Sequence, residues 1–296
     1  NIILVLLPTY DKLVAGFLFR SEEMINGGVL ISQDLSCAGQ VSSSVALPIL
    51  GACGTRSTLL PTAILSTHTG FQGNTYLDLS SEMTKIVAHW QKINLNFDAL
   101  YLGYLGQNAL DFWLDKIEQI KRADQVVLID PAMADHGKMY RGLDEEYVKK
   151  MRQLIPKATI LTPNITEAAF LLGKDLTKVS LEKAQEFATE LAKKFSIPNV
   201  VITGISITKE KIGEVGVTDG KNWSLIQKKL SGSFFGTGDM FASAFLAAVL
   251  HGNNLEKSCS IAADFIRLAI MNTKQNPLFG PNYAAGLPWL LDEIEK

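Results

Sequence analysis

The chain has 296 residues, of which 47% are hydrophobic and 20% are charged. This composition is typical of compact globular proteins and argues against a disordered, collagen-like or coiled-coil chain. The 28 lysines and arginines nearly balance the 30 aspartates and glutamates, and the net charge of −2 supplies no attraction for a nucleic acid or an anionic membrane. We therefore expect a small-molecule ligand, and neither nucleic acid nor a membrane as partner.

The three cysteines, Cys37, Cys53 and Cys259, are scattered and odd in number. They fit neither a closed disulfide framework nor the spacing of a zinc site. A reducing cytoplasm is therefore the expected compartment.

The first 23 residues precede the part of the chain that has an α/β pattern. Pro8, Asp11 and Lys12 interrupt their apolar run well short of the roughly 18–20 residues that a transmembrane helix needs. The segment also lacks the basic start and the small-residue cleavage site of a secretory signal. We expect residues 1–23 to be a leader outside the functional fold, and residues 24–296 to form a single domain.

From Val29 onward, short apolar runs alternate with stretches of helical periodicity, which is the pattern of parallel βαβ units. Strands are predicted over residues 29–33, 63–66, 99–103, 126–129, 159–161 and 200–202, and helices over residues 41–50, 79–90, 108–121, 166–172 and 181–195. Residues 213–217 and 223–230 are predicted to pair through a hairpin turn at Asp219-Gly220, and the closing third is predicted to be helical. The chain therefore predicts an α/β fold, with a mostly parallel central sheet and helices on both faces.

Sheets of this kind bind ligands beyond the carboxyl ends of their strands. The polar residues that follow the predicted strands are Asp34, residues 67–70, Tyr104, residues 130–140, residues 162–164 with Glu167, and residues 203–204.

The segment Gly236-Thr237-Gly238-Asp239 stands directly before an apolar, alanine-rich helix. Small residues at a helix N-terminus let backbone N–H groups approach an anion, and the helix dipole favours negative charge there. A phosphate is therefore expected at this turn. Asp239 is either a carboxylate that stabilises the helix start or a general base that accepts a proton from an alcohol attacking a phosphoryl group.

Residues 130–140 follow a buried strand and carry Asp130, Asp135 and Tyr140 in one loop. Carboxylates in such a loop hold hydrated Mg²⁺, which bridges to phosphate oxygens. The simpler interpretation is that Asp130 ends a strand and that Asp135 forms a turn. Asn164 and Glu167 have the spacing of a helix capping box, and the alternative for Glu167 is a role at the magnesium site.

Other catalytic templates do not match. The segment 51–57 lacks the Gly-Lys pair of a P-loop, and Gly236-Thr237-Gly238 lacks the third glycine of a dinucleotide-binding fingerprint. The chain has no G-x-S-x-G elbow and no H-E-x-x-H pair.

Taken in order, these motifs resemble the pyridoxal/pyridoxamine kinase family of the ribokinase-like superfamily, which is related to the hydroxymethylpyrimidine phosphate kinases. The resemblance covers about residues 29–290. It is carried by residues 60–62, 66–70, 130–140, 162–167 and 236–239. It implies a three-layer αβα fold, a homodimer, and ATP-dependent phosphorylation of the 5′-hydroxymethyl group of pyridoxal, pyridoxine or pyridoxamine.

The resemblance also implies roles for individual residues. Asp239 resembles the base, and the amides of Gly236, Thr237 and Gly238 resemble the anion hole. Asp135 and Glu167 resemble the Mg²⁺ and water ligands. Asp130 and Thr162, in the nucleotide pocket, resemble residues next to the family's cation site, which also fit a monovalent cation such as K⁺. Thr203 resembles a residue that contacts the nucleotide phosphates, and Tyr140 would lie over the nucleotide. Asp34, His68, Thr69 and Tyr104 resemble the residues around the pyridine ring.

Two segments favour vitamin B6 over the pyrimidine of thiamine synthesis as the substrate. Residues 34–39 stand where pyrimidine kinases carry Ser-Gly-Gly-Ala-Gly, and Gly103-Tyr104 stands where they have Gly-Met. The alternatives are a hydroxymethylpyrimidine kinase and a non-catalytic protein that binds the vitamer. A sugar kinase is disfavoured because no separate lid element is evident near the N-terminus.

Overall fold

The computed structural model describes residues 25–176, 179–274 and 276–296. The expected leader over residues 1–23 lies outside the described residues. The strands are β1 (Ile25–Asn26), β2 (Val29–Ser32), β3 (Leu35–Ser36), β4 (Ser57–Leu59), β5 (Ala63–Leu65), β6 (Tyr76–Asp78), β7 (Leu95–Asn96), β8 (Ala99–Leu102), β9 (Val126–Ile129), β10 (Ala134–Asp135), β11 (Lys138–Met139), β12 (Ile160–Leu161), β13 (Asn199–Ser206), β14 (Lys211–Thr218) and β15 (Lys221–Lys228). The helices are α1 (Ser43–Ala52), α2 (Ser80–Lys92), α3 (Gly106–Ile120), α4 (Glu145–Leu154), α5 (Ile165–Leu172), α6 (Leu181–Phe195), α7 (Thr237–Leu250), α8 (Leu255–Met271) and α9 (Leu287–Ile294).

A sheet of eight strands forms the centre, in the order β15-β14-β13-β12-β9-β8-β2-β4. Six of these strands, β4, β2, β8, β9, β12 and β13, run parallel to one another. β14 pairs antiparallel with β13, and β15 pairs antiparallel with β14. Asp219 and Gly220 both have positive φ and connect β14 to β15 as the predicted hairpin turn. The predicted mostly parallel sheet is confirmed.

Both faces of this sheet are buried, which explains why its strands are continuous apolar runs. Leu30 and Leu100 lie in the core beneath α2 to α6. Their chain neighbours Ile31 and Ala99 point the other way, into the core beneath α1, α7, α8 and α9. Within the described residues, no helix is both long and apolar enough to cross a membrane.

Three short strands form a second sheet that the sequence patterns do not reveal. The strand predicted over residues 63–66 forms as β5, but it pairs with β3 and β6 and not with the central sheet. Strands of two or three residues carry too little periodicity to be assigned from sequence. This sheet is a separate element near the start of the described chain.

The strand predicted over residues 200–202 is longer than expected. β13 continues to Ser206, and its pairing with β14 shifts register between Ile202 and Ile205. Thr203 therefore lies at an irregularity inside the strand and not beyond its end. A backbone bridge from Thr203 to Asn164 keeps this irregularity next to the start of α5.

Glu214 of β14 is buried in the core region between the sheet and α8. Its side chain is 6% exposed, and its Oε2 atom has no hydrogen-bond partner in the described part of the chain. Burial, and to a lesser degree the negative charge of Asp264, raises the pKa of Glu214 to about 7. In the unfolded chain this carboxyl loses its proton at about pH 4.5, whereas in the folded protein it keeps the proton up to about pH 7. Glu214 therefore lowers the free energy of unfolding as the pH rises from about 4.5 to about 7.

We expect Glu214→Gln to stabilise the fold relative to the wild type by an amount that grows from pH 5 to pH 8. The difference in the free energy of unfolding between the variant and the wild type reaches about 3 kcal/mol at most, because one unit of pKa shift corresponds to about 1.4 kcal/mol. Urea unfolding at both pH values measures it, with the exposed Glu210→Gln as a control that should show no such growth. A Glu214→Gln difference that is the same at pH 5 and pH 8 would contradict the prediction.

Candidate active site

The carboxyl ends of the central strands open into a cavity of about 420 Å³. All of the site residues selected from the sequence line this cavity. They are Asp34, His68, Thr69, Tyr104, Asp130, Asp135, Tyr140, Thr162, Glu167, Thr203, Gly236, Thr237, Gly238 and Asp239. The structure thus brings together residues that are more than two hundred positions apart in the chain, such as Asp34 and Asp239.

The N-terminus of α7 forms one wall of the cavity. Gly236 caps the helix with a φ of 79°, and a Cβ atom at this position would stand 2.1 Å from the backbone oxygen of Gln40. Only glycine fits there. The amides of Thr237, Gly238 and Asp239 donate to no acceptor among the described residues. Three free N–H groups at the positive end of a helix dipole make an anion site.

The Asp239 carboxyl lies within this wall, and the residue is partly buried. Its Oδ2 accepts a hydrogen bond of 2.8 Å from the backbone N–H of Ser42, which precedes α1. Burial raises the pKa of Asp239 to about 7, the Ser42 hydrogen bond opposes the rise, and the charge of Asp34 adds to it. A carboxyl with this pKa can take up and release a proton near neutral pH.

A second buried carboxyl, Asp130, faces the same space. Its side chain accepts no hydrogen bond from the described residues, and its Oδ2 lies 4.0 Å from where a Cβ of Gly238 would stand. Burial and the charge of Asp239 raise the pKa of Asp130 well above its usual range. Two carboxyls that act on each other in this way favour a shared proton or a bound cation between them.

Asp135 lies on a small hairpin that projects over the cavity. β10 and β11 pair through His136 and Gly137, which both have positive φ as in a type I′ turn. The Asp135 side chain is half exposed, with its Oδ1 2.7 Å from the backbone nitrogen of His136, which donates to it. Its Oδ2 lies 3.5 Å from the exposed His136 Nε2, and its remaining lone pairs are open to solvent or to a cation.

Glu167 forms the capping box that its spacing predicts. Its Oε2 accepts from the N–H of Asn164, and its Oε1 accepts from the N–H of Met133 at 3.0 Å and of Ala134 at 3.4 Å. Burial and the charge of Asp130 raise the pKa of Glu167, while these N–H donors oppose the rise. Because both oxygens already accept backbone hydrogen bonds, Glu167 positions the loop before β10 and is a poor candidate for a direct metal ligand.

No three His, Cys, Asp or Glu side chains are grouped to enclose a metal ion in the described part of the chain. Mg²⁺ does not require such a cage, because it keeps several waters and is commonly held by one or two carboxylates together with substrate phosphates. Asp130, without a hydrogen-bond partner, and Asp135, half exposed, fit this role. The donor set therefore suits a metal that arrives with an anionic substrate.

Another part of the cavity wall, called here the ring-binding end, contains His68, Thr69, Tyr104 and Asp34. The His68 Nδ1 accepts from the Gly70 N–H at 3.2 Å, so its Nε2 carries the proton that it donates to the Leu278 oxygen at 2.7 Å. His68 also packs against Phe235 with 4.4 Å between ring centroids. With both ring nitrogens engaged, His68 offers a ligand its ring and no free hydrogen-bonding atom.

Asp34 and Tyr104 are polar groups held close together at this end. Asp34 is buried and accepts from the Ser36 hydroxyl at 3.0 Å. Burial raises the pKa of Asp34, and hydrogen bonds from Ser42 and Ser36 oppose this. Burial also raises the pKa of Tyr104, with further contributions from Tyr76 and Asp34, so its hydroxyl stays protonated and can donate.

Thr162 and Tyr140 line the part of the cavity near Asp130. The Thr162 hydroxyl is buried without a partner among the described residues. Burial and the charges of Glu167, Asp135 and Asp130 raise the pKa of Tyr140. These two hydroxyl groups are therefore available to a ligand.

Two lining residues escaped the sequence analysis. Ser42 acts through its backbone N–H, which it presents from a strained φ of 50°, and no side-chain pattern signals such a role. Arg141 is the only lysine or arginine among the described lining residues, and its position directly after Tyr140 was the available signal.

Known proteins share both the fold and the sequence. A protein of Bacteroides thetaiotaomicron, provisionally described as a phosphomethylpyrimidine kinase, is 31% identical over 92% of this chain and 96% of its own, with a TM-score of 0.84, and a second crystal form of it contains pyridoxal. Pyridoxal kinase from Lactobacillus plantarum is 29% identical over 90% of this chain and 97% of its own, with a TM-score of 0.81. The pyridoxine/pyridoxal/pyridoxamine kinase of Bordetella avium is 26% identical over 253 residues, which are 80% of this chain and 82% of that protein.

The fold is therefore that of the ribokinase-like kinases, as the resemblance of the motifs implies. Residues 51–281 match the model of the phosphomethylpyrimidine kinase family. The chain belongs to this family.

We expect Gly238→Ala to fold normally and to lose anion binding. A Cβ at Gly238 meets only the Asp130 carboxyl at 4.0 Å, so the methyl group enters the space in front of the free amides. Affinity for a non-hydrolysable ATP analogue, measured by calorimetry, should fall at least about tenfold, because charge-assisted hydrogen bonds are lost. Unchanged affinity would contradict the assigned anion site.

The neighbouring glycine provides the matched control. Gly236→Ala collides with the Gln40 oxygen and forces alanine to a φ of 79°, so this variant should unfold at a clearly lower temperature. Gly238→Ala should keep the wild-type melting temperature.

Proposed function

We propose that the protein transfers the γ-phosphoryl group of ATP to the 5′-hydroxymethyl group of a vitamin B6 compound. The observation that carries the proposal is the pairing of three free amides at the start of α7 with Asp239, a partly buried carboxyl whose pKa is raised to about 7. An anion site and a proton acceptor side by side are what phosphoryl transfer to an alcohol requires. Relatives named as kinases of pyridoxal and pyridoxine support the choice of substrate.

Asp239 is the proposed general base. The hydroxymethyl O–H gives its proton to the Asp239 carboxylate while the oxygen forms a bond to the γ-phosphorus. The bond between that phosphorus and the β–γ bridging oxygen breaks, and ADP leaves with the electron pair. Ser42 holds one carboxylate oxygen through its N–H, which fixes the orientation of the other toward the cavity.

The amides of Thr237, Gly238 and Asp239 are the proposed partners of the transferring phosphoryl oxygens. Their positions are fixed by α7 before the substrate arrives, so no reorganisation is needed as negative charge moves toward the leaving group. Mg²⁺, when bound with the nucleotide, neutralises phosphate charge. Asp130 and Asp135 are the residues proposed to hold it, with Glu167 fixing the hairpin that carries Asp135.

The remaining lining residues have narrower proposed roles. Thr162, Thr203 and Tyr140 would contact the nucleotide, and the buried Thr162 hydroxyl without a partner beside Asp130 also fits a monovalent cation such as K⁺. Asp34, Thr69 and Tyr104 would contact the polar edges of the pyridine ring, and His68 would contact it through its ring.

Two further expectations concern the whole protein. Exposed Ile64 and Leu77 on the small sheet, 36% and 58% exposed, support self-association as the expected homodimer. All three cysteines are free thiols, which supports the expected reducing compartment.

A hydroxymethylpyrimidine (phosphate) kinase is the second candidate, because the family model and the Bacteroides relative are described as phosphomethylpyrimidine kinases, and a Bacillus subtilis relative is named hydroxymethylpyrimidine/phosphomethylpyrimidine kinase. It would use the same base and anion site on a different ring. Only the ring-binding end of the cavity distinguishes the two substrates.

ADP release with Mg-ATP and each of pyridoxal, pyridoxine, pyridoxamine and hydroxymethylpyrimidine tests the proposal. We expect turnover with at least one B6 compound, with the product phosphorylated on the 5′-oxygen as shown by mass spectrometry. Asp239→Asn, which keeps an acceptor for the Ser42 N–H, should fold normally and lose at least about 10² in kcat. The exposed Asp115→Asn should retain full turnover.

Turnover on the pyrimidine alone would overturn the assigned substrate. An active Asp239→Asn variant would overturn the assigned base, and vitamer binding without any turnover would make the protein a binding protein.

A further inference from the structure

The charges that line the cavity are unbalanced. Five carboxyl groups face it, and Arg141 is the only lysine or arginine among the described lining residues. The carboxyl groups are those of Asp34, Asp130, Asp135, Glu167 and Asp239. Arg141 forms no ion pair with any carboxylate in the described residues. Its guanidinium therefore carries an uncompensated positive charge at the edge of the site.

The guanidinium is held in place from the other side of the cavity mouth. Its Nη2 donates to the Asn74 side-chain oxygen, and the Asn74 Nδ2 donates in turn to the Thr67 backbone oxygen at 3.3 Å. Thr67 is two residues from Thr69, which lines the cavity. The contact joins the loop after β11 to the loop between β5 and β6. Only one of the five N–H donors of Arg141 has a described partner, and the rest are available.

Arg141 belongs to the ring-binding end of the cavity. The loop that holds it also carries His68 and Thr69, and its positive charge acts on the Tyr104 hydroxyl, whose pKa it lowers against the larger effect of burial. Gly238, one of the residues with a free amide, lies instead beside Asp130. Because Arg141 is hydrogen-bonded to the loop that carries His68 and Thr69, and its charge acts on Tyr104, its free donors belong to the part of the cavity proposed to hold the acceptor substrate.

We propose that Arg141 binds the ionised ring oxygen of the B6 compound and so selects it against hydroxymethylpyrimidine. This inference rests on the proposed function. A 3-hydroxypyridine with a protonated ring nitrogen loses its phenolic proton well below neutral pH, so that its ring oxygen is ionised at neutral pH, whereas the pyrimidine has no such oxygen. A guanidinium matches an anionic oxygen with charge-assisted hydrogen bonds, and a cavity with five carboxyl groups would otherwise repel that anion.

Arg141→Gln keeps a donor for Asn74 and removes the charge. We expect the KM for pyridoxine to rise about tenfold or more. The Kd for 4-deoxypyridoxine, measured by calorimetry without nucleotide, should rise by the same factor, because this is the loss of affinity typical when a hydrogen bond to a charged group is removed. The KM for ATP should stay within about twofold of the wild-type value, and the melting temperature should stay within a few degrees of that of the wild type. Any rate with hydroxymethylpyrimidine should be unaffected.

Two further variants make the test specific. Asn74→Asp places a carboxylate on Arg141, so it should weaken 4-deoxypyridoxine binding in the same direction without removing the arginine. Arg122→Gln changes an exposed arginine outside the cavity and should change neither constant. The wild-type affinity should fall when the pH is lowered enough to protonate the ring oxygen, and Arg141→Gln should lack this pH dependence.

If Arg141→Gln binds 4-deoxypyridoxine as tightly as the wild type does, the inference about Arg141 is overturned. The proposed function still stands in that case, provided that the wild type phosphorylates a B6 compound. A rise confined to the KM for ATP would assign Arg141 to the nucleotide phosphates and also overturn it. A wild-type protein that neither binds nor phosphorylates any B6 compound would overturn both.

Discussion

The hydrogen bond from the Ser42 N–H to the Asp239 carboxylate holds the two halves of the site together. It joins the residue before α1 to the first turn of α7, two helices that come from opposite ends of the chain and pack on the same face of the sheet. The close approach of Gly236 to the Gln40 oxygen fixes the same junction. Because Ser42 keeps a φ of 50° to make this contact, local backbone strain is offset by the packing of both helices.

Burial of carboxyl groups at this junction determines what the site can do. Asp34, Asp130 and Asp239 all have raised pKa values, chiefly because they are removed from water. Charges in such a cluster repel one another and destabilise the folded protein, and a bound cation or proton reduces this repulsion. The same arrangement lets Asp239 accept a proton near neutral pH and gives the other carboxyl groups affinity for a cation that accompanies phosphate.

The sequence predicts the elements whose periodicity is long and whose burial is complete. α6 forms over Leu181–Phe195 as predicted, and Asp130 follows β9 because a short apolar strand must end at the edge of the sheet. The capping box of α5 also follows from the spacing of Asn164 and Glu167. Once the strand ends are known, the membership of the cavity follows, since parallel strands bring their carboxyl ends to one edge.

What the sequence could not predict depends on contacts between distant backbone segments. The small sheet of β3, β5 and β6 has strands too short for a period to show. The engagement of both His68 ring nitrogens requires Leu278, which is 210 residues away. The position of Arg141 depends on Asn74, and local sequence contains no information about that pairing.

The most direct test of the account is the pKa of Asp239 itself. Carbon-13 NMR of the protein labelled at aspartate carboxyl carbons, with Asp239→Asn to assign the resonance, measures it in the absence of ligands. The account predicts that Asp239 titrates near pH 7. A titration near pH 4, the ordinary value for an exposed aspartate, would contradict the proposal that burial makes this group the proton acceptor.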